Sequence, residues 1–328
     1  MNRFHALFTA VFGIISSLHA GERFLLSADR QVIEINRLGE VIEVIKHAGH
    51  GGIYDAKRLP DGGIVYAHRG GLALFDAEHR LIMEHAARPG AKGAEANSVA
   101  VGNGGAWFAL MDSGVPQIRV IDRAGTGLSE TPLPDLAGDP LHFRYRMIRE
   151  AGDGGSFWVC QYGRKTLIQV EKDSGRLLTS VLLDPMLAPT ATVEKCFATL
   201  PWTDGSQFVS TSTGLQLLHL DRDGKRLACW THEDLGLRCR YLLGMSRLAN
   251  GNLLLACGDY HMKSTDEGRD LLAEIDVTGK VVWKLTRDRL IDQIEGVTDS
   301  RTGIEEIHVT HVHAYDSEDL AHCLNPTP

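Results

Sequence analysis

Short apolar runs alternate along the chain with turns built on Asp, Asn and Gly. The clearest unit covers residues 273–283. Ala273 and Ile275 precede Asp276, Gly279 follows, and Val281, Val282 and Trp283 resume the apolar run. This reads as strand, tight turn, strand. Asp276 opens the turn, and Gly279 supplies the positive φ that a hairpin with a bulge requires. The unit recurs at 33–39, 118–125, 167–175 and 217–224, with Gly39, Gly125, Gly175 and Gly224 in the turns. A sixth copy at 72–76 has His79 near the glycine position. His tolerates left-handed backbone better than most residues.

Each unit is preceded by a second strand pair with its own turn. Asp61-Gly62, Asn103-Gly104, Asp153-Gly154, Asp204-Gly205 and Asn250-Gly251 all stand before apolar runs. Asp-Gly and Asn-Gly between such runs are strong hairpin signals. Four short strands per repeat of about 40–50 residues describe a propeller blade. The pattern therefore predicts an all-β fold, a six-bladed β-propeller, over about 52–87, 95–133, 143–183, 193–232 and 240–285. The first blade, 23–47, lacks one strand. Residues 304–313, apolar and without a local partner, are expected to supply it, closing the ring and removing an open edge. A turn at 299–303 leaves seven blades as the alternative. Segments 182–192 and 286–294 fit no blade and read as loops, the second with a short helix.

Composition adds bounds. The 328 residues are 43% hydrophobic and 23% charged, which suits a packed core. Repetition overrides the usual expectation of one large or two small domains for this length and makes 21–328 one domain. A formal net charge of -8 speaks against nucleic acid and anionic membranes as partners. Arg3, an uncharged run over 6–18 and small Ala20 read as a signal peptide, 1–20, too short for a comfortable membrane span. Export to the periplasm or the extracellular space follows, and no later segment is long enough to span. The six cysteines include no CxxC, and Cys160 and Cys257 sit in apolar strands, where buried thiols are expected.

The 273–283 unit, with Gly in the turn and Trp283 after it, resembles the repeat of the quinoprotein-like (PQQ-like) propellers. Asn250-Gly-Asn252, Ala256-Cys-Gly-Asp259 and His142-Phe-Arg144 are similar to exported bacterial six-bladed members. That family implies Trp packed between blades and carries no firm activity. Quinoprotein dehydrogenases use eight blades and adjacent cysteines. Neither is found here, so no cofactor is expected.

Propeller ligands bind where the inner strands begin, at one mouth of the central channel. The residues there are His50, Tyr54 and Asp55; Glu95, Asn97 and Ser98; His142, Arg144 and Arg146; Glu194 and Lys195; Arg240 and Tyr241; and His311 and His313. A convergent polar rim on an apolar scaffold is a default binding site. Arg144 and Arg146, two apart, should share a strand face and meet a small anionic molecule, unless Glu95 or Glu194 pairs with them. His311 and His313 share a face and His308 does not, so no metal centre is expected there. The reading is a binding or interaction module whose partner is a small anionic molecule or another protein. The alternative is an enzyme of sulfotransferase or hydrolase type. Exported arylsulfotransferases are similar propellers with a channel histidine, a part that His50 or His142 could take.

Overall fold

A computed structural model describes residues 22–47, 49–87, 95–112, 114–189, 195–258, 269–291, 293–294 and 309–316. The expected leader, Glu194, His308 and 304–307 lie outside the described residues. The first blade contains β1 (Glu22–Ala28), β2 (Gln31–Asn36) and β3 (Val41–Ile45). The second contains β4 (Asp55–Arg58), β5 (Ile64–His68), β6 (Gly71–Phe75) and β7 (Leu81–Ala86). The third contains β8 (Ala96–Gly102), β9 (Trp107–Asp112), β10 (Gln117–Asp122) and β11 (Gly127–Pro132). The fourth contains β12 (Tyr145–Glu150), β13 (Ser156–Gln161), β14 (Thr166–Glu171) and β15 (Leu177–Leu182). The fifth contains β16 (Ala198–Pro201), β17 (Gln207–Ser210), β18 (Gln216–Leu220) and β19 (Arg226–Thr231). The sixth contains β20 (Tyr241–Arg247), β21 (Leu253–Gly258), β22 (Asp270–Ile275) and β23 (Val281–Thr286). The last strand, β24 (Val309–Asp316), pairs antiparallel with β1 and becomes the inner strand of the first blade.

The described strands therefore make six four-stranded antiparallel sheets, a six-bladed β-propeller. The inner strands neighbour one another in cyclic order β24, β4, β8, β12, β16, β20. Closure uses the C-terminal strand as expected, although β24 starts at Val309. The 286–294 segment carries the expected short helix, Asp288–Ile291.

Local chemistry accounts for the repeated hairpin. Asp276 Oδ1 accepts from the Thr278 and Lys280 amides at 2.9 and 3.0 Å, which fixes the turn. Gly279 then takes φ 89°, and its Cα lies against the Trp230 ring of the preceding blade, where no Cβ fits. In the sixth copy His79 occupies the same left-handed position at φ 59°. All six outer hairpins carry a register shift, the bulge that this turn requires. Trp283 packs between blades, 5.7 Å from Phe24 and under the Arg37 guanidinium.

The core is a ring of apolar layers between adjacent sheets. Met111, Ile118 and Val120 meet Phe157 and Val159 between the third and fourth blades. Leu25 and Val32 meet Tyr66 and Phe75 between the first and second. Burying each such side chain stabilises by roughly 1.5–3 kcal/mol. With both faces of every blade packed, polar side chains gather at the strand ends and in the channel.

Candidate functional site

The inner strands all begin at one mouth of the channel, and a cavity of about 990 Å³ opens there. Tyr54, Asn97, His142, Arg146 and Lys195 line it, as the sequence suggested, and so do Arg240 and Tyr241. The sequence reading did not include Arg69, Phe143, Tyr162 and Phe197, which complete the wall. Among the described residues that line it, Arg69, Arg146, Lys195 and Arg240 are the Lys and Arg cations, and Asp29 is the one carboxylate. This sign is opposite to the chain's net charge of -8.

Aromatic rings and cations alternate across the wall. The Arg146 guanidinium lies 5.7 Å from the Tyr54 ring centre and 5.2 Å from that of Tyr162. Lys195 Nζ lies 4.6 Å from Phe143 and 5.5 Å from Tyr162, whose rings stack. Burial, with help from Lys165, lowers the Lys195 ammonium's pKa. Burial, and then the negative charge of Glu95, pushes the Tyr54 hydroxyl up to about 12.

Glu95 is the anchor of this wall. It lies 3.1 Å from His142 Nδ1, 3.6 Å from Arg146 and 3.6 Å from Arg69. Burial alone would raise its carboxyl, but the His142 hydrogen bond and Arg146 hold it below the ordinary range. Arg146 also donates to Asn97 Oδ1, while Asn97 donates to the Tyr145 carbonyl at 3.3 Å.

The structure does not bring all the expected residues together. Arg144 stands at the end of a 3₁₀ turn, Leu141–Phe143, with φ -74° and ψ -73°. It is not extended, so the two-residue alternation with Arg146 fails, and Arg144 Nε donates to the Asp139 carbonyl at 3.0 Å. His50 sits off the axis, stacked on His68 at 4.1 Å and bonded to the Tyr66 hydroxyl.

Asp55 lies deeper than the mouth. It is fully buried in the channel, where four blades meet. Its Oδ2 accepts from Ser98 Oγ at 2.9 Å, Arg149 Nη1 at 2.9 Å and the Val99 amide at 3.2 Å. Its Oδ1 faces Lys57 Nζ at 3.1 Å and His311 Nδ1 at 3.3 Å. Arg149 donates in turn to His311 Nε2. Burial opposes the Asp55 charge, but Arg149, His311 and Lys57 outweigh it and keep the carboxylate ionised to unusually low pH. Burial, then Arg149, brings the Lys57 amine down to about 7. His311 fits because Gly244 of β20 has no side chain there, and His313 Nδ1 accepts the Arg58 amide at 3.0 Å.

Lys57 and Arg149 were also missed from the sequence. In β12 the register shifts between Arg146 and Ile148, so Arg146 and Arg149, three apart, both serve the channel. A like shift in β8 between Ala96 and Ser98 lets adjacent Asn97 and Ser98 do the same. Strict alternation conceals such pairs.

No family model matches the chain. No curated protein sequence matches it either. Among solved structures, the chain is similar to a protein of unknown function from Bacteroides caccae. They share 17% identity and a TM-score of 0.73, over 90% of this chain and 99% of that one. It is also similar to a chain of a nidogen/laminin complex, at 11% identity and TM-score 0.60, over 90% and 99%. A streptogramin B lyase matches at 14% identity and TM-score 0.54, over 80% of this chain and 73% of its own. At these identities the likeness shows the propeller fold alone. Among the described residues, no helix is long and apolar enough to cross a membrane.

Proposed function

We propose that the protein is an exported propeller of the quinoprotein-like superfamily that binds a small anionic molecule with a planar apolar body. One observation carries this reading. Lys195 and Arg240 face the 990 Å³ cavity without a carboxylate partner among the described residues, beside the Phe143, Tyr162 and Phe197 rings. Lys195 is half-buried and Arg240 is exposed at the rim. A half-buried cation is stabilised by an anionic partner, and guanidinium and ammonium groups suit carboxylate, sulfate or phosphate. The rings offer stacking area to the rest of the ligand. The leader-like sequence at 1–20 and the hairpin at 273–283 support export and the superfamily respectively.

Hydrolase or sulfotransferase chemistry would need a histidine with a free lone pair toward the cavity. His142 has its carboxylate, Glu95, but both ring nitrogens lie within 3.0 Å of Arg146 Nη2. That guanidinium competes for the lone pair a base or nucleophile would use, so binding is the better reading.

Calorimetry of the parent protein against aromatic carboxylates, sulfonates and phosphates tests the proposal. Binding by members of the panel, lost in Lys195→Ala and Arg240→Ala, is the expected result. No binding by any of them would sink it.

A further inference from the structure

We propose that His50, His68 and Glu84 form a binding site for a divalent first-row transition ion, away from the channel. Tyr66, Ala73 and Glu84 stand in one cross-strand row of the second blade. His50 reaches both ends of that row. His50 Nδ1 lies 2.6 Å from the Tyr66 hydroxyl, and Nε2 lies 3.1 Å from Glu84 Oε1. His68 is stacked on the other side, and one donor atom from each of the three lies within 4.8 Å of the others.

Two further features point to a ligand. His68 Nε2 and His47 Nδ1 are buried and have no hydrogen-bond partner among the described residues, and the His47 ring is 4.3 Å from His50. Buried polar atoms of this kind are rare without a function. In the loaded site the Tyr66 hydroxyl accepts the His50 Nδ1 proton and leaves the Nε2 lone pair for the ion shared with Glu84, as an outer partner of a metal ligand does. Two imidazoles and one carboxylate, with room for water, suit zinc, copper or nickel better than magnesium or calcium. Glu84 is half exposed, so an ion reaches it from solvent.

Loading requires a small rearrangement. The His50 and His68 planes are nearly parallel, so the rings must turn for their lone pairs to converge. The Gly70 amide points at His68 Nδ1 at 3.2 Å, which puts the neutral ring's proton on Nε2. Binding moves that proton to Nδ1 and turns the amide away, a motion that the Gly70-Gly71 turn permits. The site is consequently weaker than a preformed one.

The test uses tag-free protein dialysed against chelator and titrated with zinc chloride by calorimetry, with cobalt absorption as a second readout. One ion per chain is expected, with intense visible cobalt bands from a four-coordinate site. His50→Ala, His68→Ala and Glu84→Gln should each weaken binding at least tenfold, and Tyr66→Phe by about tenfold. Glu78→Gln, on the exposed turn nearby, should bind like the parent. Circular dichroism checks that each variant is folded, and Glu84→Gln, at a half-exposed position, keeps the test open if the histidine variants do not fold. The proposal is overturned if no heat appears at millimolar zinc, or if folded His68→Ala or Glu84→Gln binds like the parent.

Discussion

Arg149 of the fourth blade and Asp55 of the second meet at 2.9 Å in the middle of the ring, both buried, 94 positions apart in the chain. Asp55 also gathers Ser98 from the third blade and His311 from the first. The channel is thus filled by charge and hydrogen bonds that tie four blades to one carboxylate.

Removing Arg149 strips buried Asp55 of the cation on its Oδ2, and removing Asp55 leaves the Arg149 guanidinium buried without its carboxylate. Asp55→Ala and Arg149→Ala are each expected to cost about 3–5 kcal/mol. The double variant should cost less than the sum, because the second truncation removes the orphaned charge. Urea unfolding of the three proteins measures this. Additive losses would mean that the pair is not coupled.

Acid should act through the same cluster. Burial, then Lys57, lowers His313 to about 3 from an ordinary 6.5, so the folded protein binds fewer protons than the unfolded chain between those values. Stability therefore rises with pH from about 3 to 6.5 and is lost as pH falls through that window. Asp55, also depressed, adds a loss of the same sign below the ordinary carboxylate range. Melting temperature against pH should climb across the window in the parent and more gently in His313→Asn. Parallel curves would refute the assignment.

Lys57 makes a separate signature at higher pH. Its amine is about 7 when folded and 10.5 when free, so the unfolded chain holds the extra proton in between. Stability from this residue rises as pH goes from about 7 to 10.5. Lys57→Met should flatten that part of the profile, read by thermal melts between pH 7 and 10. An unchanged slope would count against a buried amine.

At the mouth, position in the wall decides the outcome. A ligand at 100 times its dissociation constant should stabilise the parent by about 2.7 kcal/mol. Lys195→Ala and Arg240→Ala should lose most of that gain while unfolding normally without ligand. Arg144→Ala should keep it, because Arg144 is turned onto the Asp139 carbonyl. Thermal shift with and without ligand separates these, and an Arg144→Ala protein that alone lost binding would reverse the assignment.

Closure is testable by truncation. Val309, His311 and Val312 are fully buried, and β24 lies against β1, β4 and β20. Ending the chain at 308 exposes these layers and strips Asp55 of His311. The shortened protein is expected to lose its cooperative melt, followed by circular dichroism. A melt at the parental temperature would exclude the closure.

The blade count and the closing strand were readable because local chemistry sets them. Asp276 and Gly279 make the same turn wherever they recur, and even His79 could be placed in it. The rim was readable in part, since Tyr54, Asn97, His142, Arg146 and Lys195 precede or begin inner strands. Arg144, His50 and Asp55 could not be placed in this way. A 3₁₀ turn redirects Arg144, the 49–54 connection carries His50 to a neighbouring face, and Asp55 finds its partners on three other blades. Bulges in β8 and β12 changed which residues face the axis, which alternation along one strand cannot show. A turn draws its energy from a few consecutive residues and is legible in them. A buried charge cluster draws its energy from groups up to 256 positions apart, such as Asp55 and His311, and exists only once the ring closes.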